Sequence, residues 1–327
     1  MWSANWDYST PGQVNPLWES VTLSPSKQPT SNRGGITMLR NFKGKTAVIT
    51  GGASGIGLAY ARKCSELGMN LVLADIEANA LQKAVAWFEE RQTPVIGVIT
   101  DTMRKASIET LFKDATARFG NIHLLFNNAG VVNGGAPVPM WEIPDVDWDW
   151  VLGVNLHGVR WGIQKFVPHM IAHGEPGHVV NTASIAAFIP GGGPYGVSKY
   201  GVILMSEGLS HGLKARNSRV GASVLCPGWV NTKIAEAERN RPGTLANQNN
   251  PHGTGLPIGT ALSEGKSPDD IANIVFDAIE SDRFYVLPHA GWDDVVTGHA
   301  AAIVAREAAF VLDTQAILAR RSKGIDV

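Results

Sequence analysis

From residue 44 onward the chain alternates short unbroken apolar runs with longer stretches whose apolar residues recur every three or four positions. KTAVIT (45–50), NLVLAD (70–75), PVIGVIT (94–100), IHLLFN (122–127), GHVVNTAS (177–184), VGASVLCP (220–227) and RFYVLPH (283–289) read as strands. Their apolar positions are consecutive, which predicts burial on both faces. Between the early runs lie helical stretches over 56–67, 77–91 and 105–119, the last with Leu111, Ala115 and Phe119 at i, i+4 spacing. Strand–helix alternation of this kind predicts parallel strands with right-handed crossovers: an α/β fold of Rossmann type, a doubly wound parallel sheet of about seven strands with helices on both faces.

Later punctuation refines this picture. SPDDIANIVFDAIES predicts a helix with Ser267 as N-cap and Pro268 at its first position. DVDWDW (145–150) reads as a helix start with acids in the first turn. The stretch 238–266 is polar, rich in Gly, Pro and Asn, and lacks periodicity, so a loop or substrate lid is expected over about 233–266. Beyond Pro288 spaced apolar residues predict a helical tail, about 291–327. Residues 1–37 stand apart, rich in Ser, Pro, Asn and Gly with Trp2, Trp6 and Trp18 interspersed. They read either as a flexible leader or as an arm whose tryptophans pack on the body or a neighbouring subunit. Residues 38–327 show no composition break and no repeat, which predicts one domain.

Composition narrows the partners. Over 327 residues, 44% are hydrophobic and 17% charged, enough for a large core. The formal net charge is −1 with no basic run, which argues against a nucleic-acid or anionic-membrane partner. No apolar run approaches the roughly 20 residues of a spanning helix. Cys64 and Cys226 lie far apart in apolar settings, so a cytoplasmic location without a disulfide framework is expected. Neither they nor the nine histidines show metal-ligand spacing, and no metal is expected.

The first chemical signal is TGGASGIG, directly after the first strand. Gly51, Gly55 and Gly57 let backbone approach a pyrophosphate, and the helix that follows offers N–H groups and a positive dipole end. A glycine turn alone is weak, but Asp75 ends the next strand 24 positions after Gly51, the context of a dinucleotide site. A carboxylate there accepts hydrogen bonds from adenosine ribose hydroxyls and repels a 2′-phosphate. Ile76 follows it, and the glycine loop carries no Lys or Arg, so NAD is favoured over NADP.

The second signal is Tyr195 and Lys199, one helical turn apart behind Gly191, Gly192 and Gly193. A tyrosine pKa near 10 is too high for a base at neutrality. A neighbouring ammonium, with the positive charge of an oxidised nicotinamide, favours phenolate and is expected to lower it. Together with NNAG (127–130) and CPGWVNT (226–232), these motifs resemble the short-chain dehydrogenases/reductases over about residues 42–290. VLGVNLHGVRWGIQKFVPHMIAHGEPGHVV, NTKIAEAERNRP and FYVLPH are similar to a bacterial subgroup that includes the Cα-dehydrogenases of lignin-derived aryl ethers.

The resemblance implies an NAD-dependent oxidoreductase acting on a secondary alcohol or ketone. Tyr195 would be the general acid/base, Lys199 its partner and a ribose ligand, Ser184 the stabiliser of the substrate oxygen, and Asn155 the link to a proton-feeding water chain. Ser54, Ile56, Asp101, Thr102, Asn128, Ala129, Gly130, Pro227, Gly228, Val230 and Thr232 would complete the cofactor site. Ser184 precedes Tyr195 by eleven positions, a shorter spacing than the family usually shows. His157 is expected to pack rather than react, and Trp141, Trp148 and Trp161 to serve core or interface. The apolar rim FIPGGGP and the uncharged centre of 238–266 suggest a small hydrophobic substrate, aromatic or alicyclic. A homodimer or homotetramer through helices at about 147–173 and 195–215 is implied, with Gly201, Gly208 and Gly212 permitting close packing. A silent dinucleotide sensor and a related epimerase or dehydratase are the alternative functions. A sensor usually loses Tyr or Lys, and the sugar-modifying enzymes carry a different glycine spacing and a larger C-terminal domain.

Overall fold

The computed structural model describes residues 39–134, 138–248, 250, 259–306 and 308–312. The extension expected over 1–37 lies outside them, as do parts of the expected lid and tail. Seven parallel strands form one sheet in the order β3-β2-β1-β4-β5-β6-β7. They are β1 (Thr46–Thr50), β2 (Asn70–Asp75), β3 (Val95–Ile99), β4 (Leu124–Asn127), β5 (Gly177–Thr182), β6 (Val220–Leu225) and β7 (Tyr285–Val286). The helices are α1 (Gly55–Glu66), α2 (Ala78–Glu89), α3 (Lys105–Phe119), α4 (Asp145–Leu152), α5 (Gly158–Ala172), α6 (Gly193–Ala215), α7 (Gly259–Ser263), α8 (Pro268–Glu280) and α9 (Asp293–Ala305).

Two-residue alternation feeds the two faces. Ala47, Ile49, Leu71, Leu73, Leu124 and Phe126 pack with α1, α2 and α8, against residues such as Tyr60, Phe88 and Phe276. Val48, Val72, Ala74 and Leu125 point the other way, onto Ile108 and Leu111 of α3 and Phe166 and Met170 of α5. The expectation of strands buried on both faces fails at the two edges. Ile99 of β3 is 64% exposed and Tyr285 of β7 51%. An edge strand has a neighbour on one side only, so fewer helices reach over it.

The helix expected over 147–173 is interrupted. α4 runs into a π turn, Gly153–His157, before α5 begins. The segment expected as a featureless lid contains two 3-10 turns, Ile234–Asn240 and Gly243–Leu245, and the short α7. Among the described residues of the tail the α-helix is α9, and 308–312 are irregular. Ser267 caps α8 as expected, accepting from the Asp270 amide at 3.0 Å. Trp141 is 84% exposed rather than core. Among the described residues no helix is long and apolar enough to cross a membrane.

Candidate active site

Parallel strands place their C-terminal ends along one edge, and the strand order reverses between β1 and β4. The crevice this opens is the usual ligand position of doubly wound sheets. A cleft of 540 Å³ occupies it here. Gly51 takes φ +63° and Gly55 φ +52°, conformations that disfavour side chains. A Cβ on Gly51 would stand 3.0 Å from the Ala129 Cα, and one on Gly55 3.2 Å from Thr232. Ser54 caps α1 with backbone alone: its side chain makes no cap bond, and no acid stands in the first turn. The α1 amides therefore remain uncompensated at the cleft wall, a cradle suited to a pyrophosphate. Ile56 lines the same wall.

Gly57 does not line the cleft. A Cβ there would fall 2.1 Å from the Gly51 carbonyl oxygen, so its role is to let α1 close onto the turn. Asp75 ends β2 and is buried, accepting from the Ala53 amide (3.0 Å) and the Glu77 amide (3.0 Å). Burial holds its carboxyl above the ordinary value, against the pull of those amides. Asp101 and Thr102 border the cleft. The Asp101 carboxylate accepts from the Met103 amide (3.0 Å) and Arg104 (3.1 Å), so it closes its own turn. Asn128, Ala129 and Gly130 follow β4, where Thr50 Oγ1 accepts from the amides of Asn128 (2.9 Å) and Ala129 (3.1 Å). Pro227, Gly228, Val230 and Thr232 form the wall after β6.

The proton-handling groups meet at the same edge. Ser184 lies just past β5, and a 3-10 turn, Ile185–Phe188, takes up the short connection to α6. Gly191 (φ +84°) and Gly193 (φ +53°) bend the chain into the helix, which is why glycines precede the tyrosine. The eleven-residue spacing therefore still brings Ser184 close enough to Tyr195 to pull the phenol's pKa down, while its Oγ donates to the Pro227 carbonyl at 3.4 Å. Ser184 Oγ also accepts from the Ala186 amide at 3.1 Å. The Lys199 ammonium stands 5.5 Å from the Tyr195 ring centroid and donates to the Thr182 carbonyl at 2.9 Å. Asn155 is fully buried in the π turn, behind the cleft wall. Its Nδ2 donates to the Val131 carbonyl (2.9 Å) and Ser198 Oγ (3.1 Å), and its Oδ1 accepts from the Val131 amide (2.8 Å). A Cβ on Gly130 would lie 3.3 Å from Lys199 Nζ and 3.4 Å from Asn155 Oδ1, so the three groups share one small space.

The expected fall of the tyrosine pKa is not a property of the polypeptide by itself. Burial of its hydroxyl end holds Tyr195 above the ordinary value, and the Ser184 bond only partly opposes this. Burial likewise lowers the Lys199 ammonium to about 8. His157 is held below its usual value by burial and by Arg160, and it packs 6.3 Å from Trp161, away from the cleft.

Several cleft residues have no role assigned by the motifs, although Trp229 lies in CPGWVNT and Arg239 and Asn240 in NTKIAEAERNRP. Glu77, Arg239 and Asn240 face one another across it, and Trp229 and Trp292 wall its apolar end. The DIE triplet at 75–77 hints at Glu77, whereas Trp292 sits in a segment with no motif. One buried network holds the outer wall. Arg241 pairs with Asp147 (2.8 Å) and Glu238 (2.6 Å), all three side chains at most 6% exposed. Glu238 in turn accepts from the Gly134 amide at 2.7 Å.

Comparison with known proteins agrees with this layout. The family model for short chain dehydrogenase matches residues 45–243. A short chain dehydrogenase/reductase from Burkholderia phymatum, solved in complex with NAD, superposes with a TM-score of 0.78 at 39% identity, covering 84% of this chain and 99% of that one. The C alpha-dehydrogenase of Sphingobium sp. strain SYK-6 is 32% identical over 81% of this chain and 87% of its own. The CLA biosynthesis dehydrogenase/reductase of Lactiplantibacillus plantarum is 31% identical over 81% of this chain and 95% of its own. A family match over residues 45–243, relatives above 30% identity over most of the chain and a superposing fold make the chain a member of the short-chain dehydrogenase family, an oxidoreductase of the alcohol dehydrogenase or ketone reductase kind that uses a nicotinamide dinucleotide.

Proposed function

We propose that the protein oxidises a hydrophobic secondary alcohol, or reduces the matching ketone, with NAD as its dinucleotide. The observation that carries this is the convergence of Ser184, Tyr195 and Lys199 on one cleft wall, opposite an uncapped α1 and beside a buried Asp75. When bound, the nicotinamide supplies the hydride acceptor or donor. Ser184 Oγ, oriented by the Ala186 amide, offers a hydrogen bond to the substrate oxygen. Tyr195 moves the proton at that same oxygen. In reduction the phenol donates, the state that burial already favours. In oxidation it must first lose its proton, and Lys199 assists electrostatically from the next turn. Asn155 and Ser198 hold the loop after β4 against α6, which fixes Lys199 beside Gly130.

Asp75 supports NAD over NADP, since a buried carboxylate at the end of β2 is repelled by a 2′-phosphate. The substrate end of the cleft is walled by Ile143, Val154, Ile189, Trp229, Leu262 and Trp292, which supports an apolar aromatic or alicyclic substrate. The described part of 233–266 borders that end through Ile234, Ala237 and Pro242 and supports its reading as a lid. A domain at 38–327, a homodimer or homotetramer and a cytoplasmic location complete the reading. Val197, Tyr200 and Leu204 are exposed along one stripe of α6, with open space over Gly208 and Gly212, as an interface between copies requires. Cys64 and Cys226 are buried free thiols, as a reducing compartment permits.

The test is a panel of secondary alcohols (benzylic with and without an aryl-ether chain, alicyclic, short aliphatic, polyol) followed at the reduced-cofactor absorbance. Benzylic or alicyclic alcohols should lead, because burying a ring gains roughly 25 cal/mol per Å² of apolar surface. Tyr195→Phe should lower turnover by about 10²–10⁴-fold while NADH still binds. Near-normal turnover in that variant overturns the mechanism, and a preference for polyols overturns the pocket reading alone.

A further inference from the structure

The cleft wall beside Asp75 holds a cation to which the motifs assign no role. Arg239, in the 3-10 turn Ile234–Asn240, sends Nη2 to Glu77 Oε1 at 2.7 Å. Asn240 Nδ2 donates to the same oxygen at 3.0 Å. The other guanidinium nitrogen, Nη1, donates to the backbone carbonyls of Lys233 (3.1 Å) and Glu236 (2.9 Å). Glu77 is two residues from Asp75, and its amide donates to the Asp75 carboxylate. Asp75, Glu77, Lys233, Arg239 and Asn240 all face the cleft. Both partners are about one-third exposed, so the pair is reachable by a ligand there.

A guanidinium in this place is the natural receptor for a phosphate dianion, because it offers two parallel donors and a charge that does not titrate. Here one edge of Arg239 is committed to backbone and the other to Glu77. The backbone bonds do not depend on Glu77, so removing the carboxylate would free Nη2 without releasing the arginine from its position. Burial pushes the Glu77 carboxyl up, but the bonds and charges of Arg239, Asn240 and Lys233 outweigh it and hold it ionised at neutrality.

We propose that Glu77 is a second coenzyme-specificity residue, which acts by occupying Arg239 and so withholding from a 2′-phosphate the guanidinium poised beside Asp75. The proposal rests on the reading of Asp75 as the adenosine-ribose end of the cleft. It differs from simple repulsion, because it makes the effect of Glu77 depend on Arg239. It also differs from a strap that merely ties the segment 234–240 to the β2–α2 turn, because a strap affects both dinucleotides alike.

The experiment is titration of the full chain with NADH and with NADPH, without substrate, followed by cofactor fluorescence. Wild type should bind NADH more tightly. Glu77→Ala should lower the ratio of the NADPH to the NADH dissociation constant about tenfold, the scale of one added charge-assisted hydrogen bond. Glu77→Gln, which keeps an acceptor for Nη2, should lower it less and serves if the alanine variant folds poorly. Glu77→Ala with Arg239→Ala should return the ratio to the wild-type value. An unchanged ratio in both single variants overturns the proposal in favour of the strap. A fall that persists without Arg239 overturns it in favour of repulsion alone. Tighter NADPH binding by wild type would overturn the Asp75 reading itself and the proposal with it. Asp75→Ala is the separate control, since its own shift of the ratio reports on Asp75 whatever Glu77 does.

Discussion

Replacing Arg241 by methionine should destabilise the protein severely and blunt substrate recognition more than cofactor binding. The guanidinium donates to Glu238 through Nε (2.6 Å) and Nη2 (2.8 Å), to Asp147 through Nη2 (2.8 Å), and to the Leu245 carbonyl through Nη1 (3.1 Å). It also lies 4.1 Å over the Trp150 ring. Its loss would leave two carboxylates, 4% and 3% exposed, with only neutral donors such as Asn247 and the Gly134 amide. Stranding a buried charge by removing its partner costs about 3–5 kcal/mol. At ~2–4 °C per kcal/mol for a large domain, the melting temperature should fall by about 10 °C. Calorimetry and urea unfolding measure this directly. A further readout identifies the cause. Adding Asp147→Asn and Glu238→Gln to the methionine variant should recover part of the loss. Since the cluster ties residues 234–245 and the 131–134 loop to α4, KM for the alcohol should rise more than the NADH dissociation constant. A methionine variant within about 1 kcal/mol of wild type, or a triple variant no better than the single, would refute the reasoning.

Gly57→Ala should abolish NADH binding measured by fluorescence while far-UV dichroism stays native, because its Cβ would meet the Gly51 carbonyl oxygen at 2.1 Å and push the turn open. Retained NADH affinity would show that the turn tolerates the shift. His123 should make the fold acid-sensitive. Burial lowers it to about 4, with Lys45 and His173 adding and Glu175 opposing, and its Nδ1 accepts from the Thr46 amide at 3.1 Å. A histidine kept neutral contributes stability that is whole above its unfolded value near 6.5 and drains as pH falls toward 4. Urea unfolding should therefore show about 2 kcal/mol less stability at pH 5 than at pH 7. His123→Asn, which keeps an acceptor for Thr46, should flatten that slope; an equal slope in the variant would assign the acid loss elsewhere.

The strands were readable because their apolar runs are uninterrupted, and the glycine turn and Tyr195–Lys199 because chemistry dictates residue types at fixed spacing. What stayed hidden depends on distant partners. Asp147 reads as a first-turn acid, yet it is buried because Arg241 arrives from 94 positions away. The segment 234–248 reads as loop because buried charges hold it, and charge networks leave no hydrophobic period. The edge exposure of β3 and β7 follows from strand order, which a local pattern does not encode. The expectation of an acidic Tyr195 rests on the Lys199 ammonium and a cationic ring together; in the polypeptide by itself Lys199 stands beside it, yet burial governs the residue.

The π turn at Gly153–His157 gives its helix a local slack. It fits one residue more into a turn than α4 and α5 do, so the extra residue is absorbed without turning one half against the other. Deleting a single residue there would close the wide turn into an ordinary one and keep α4 and α5 nearly in phase, so Asp147 and Trp150 would still face Arg241. The loss would fall on the turn itself, where Asn155 holds Val131 and Ser198. A second deletion has no such slack to draw on and would rotate the halves by about 100°, so this stretch should tolerate the first far better than the second.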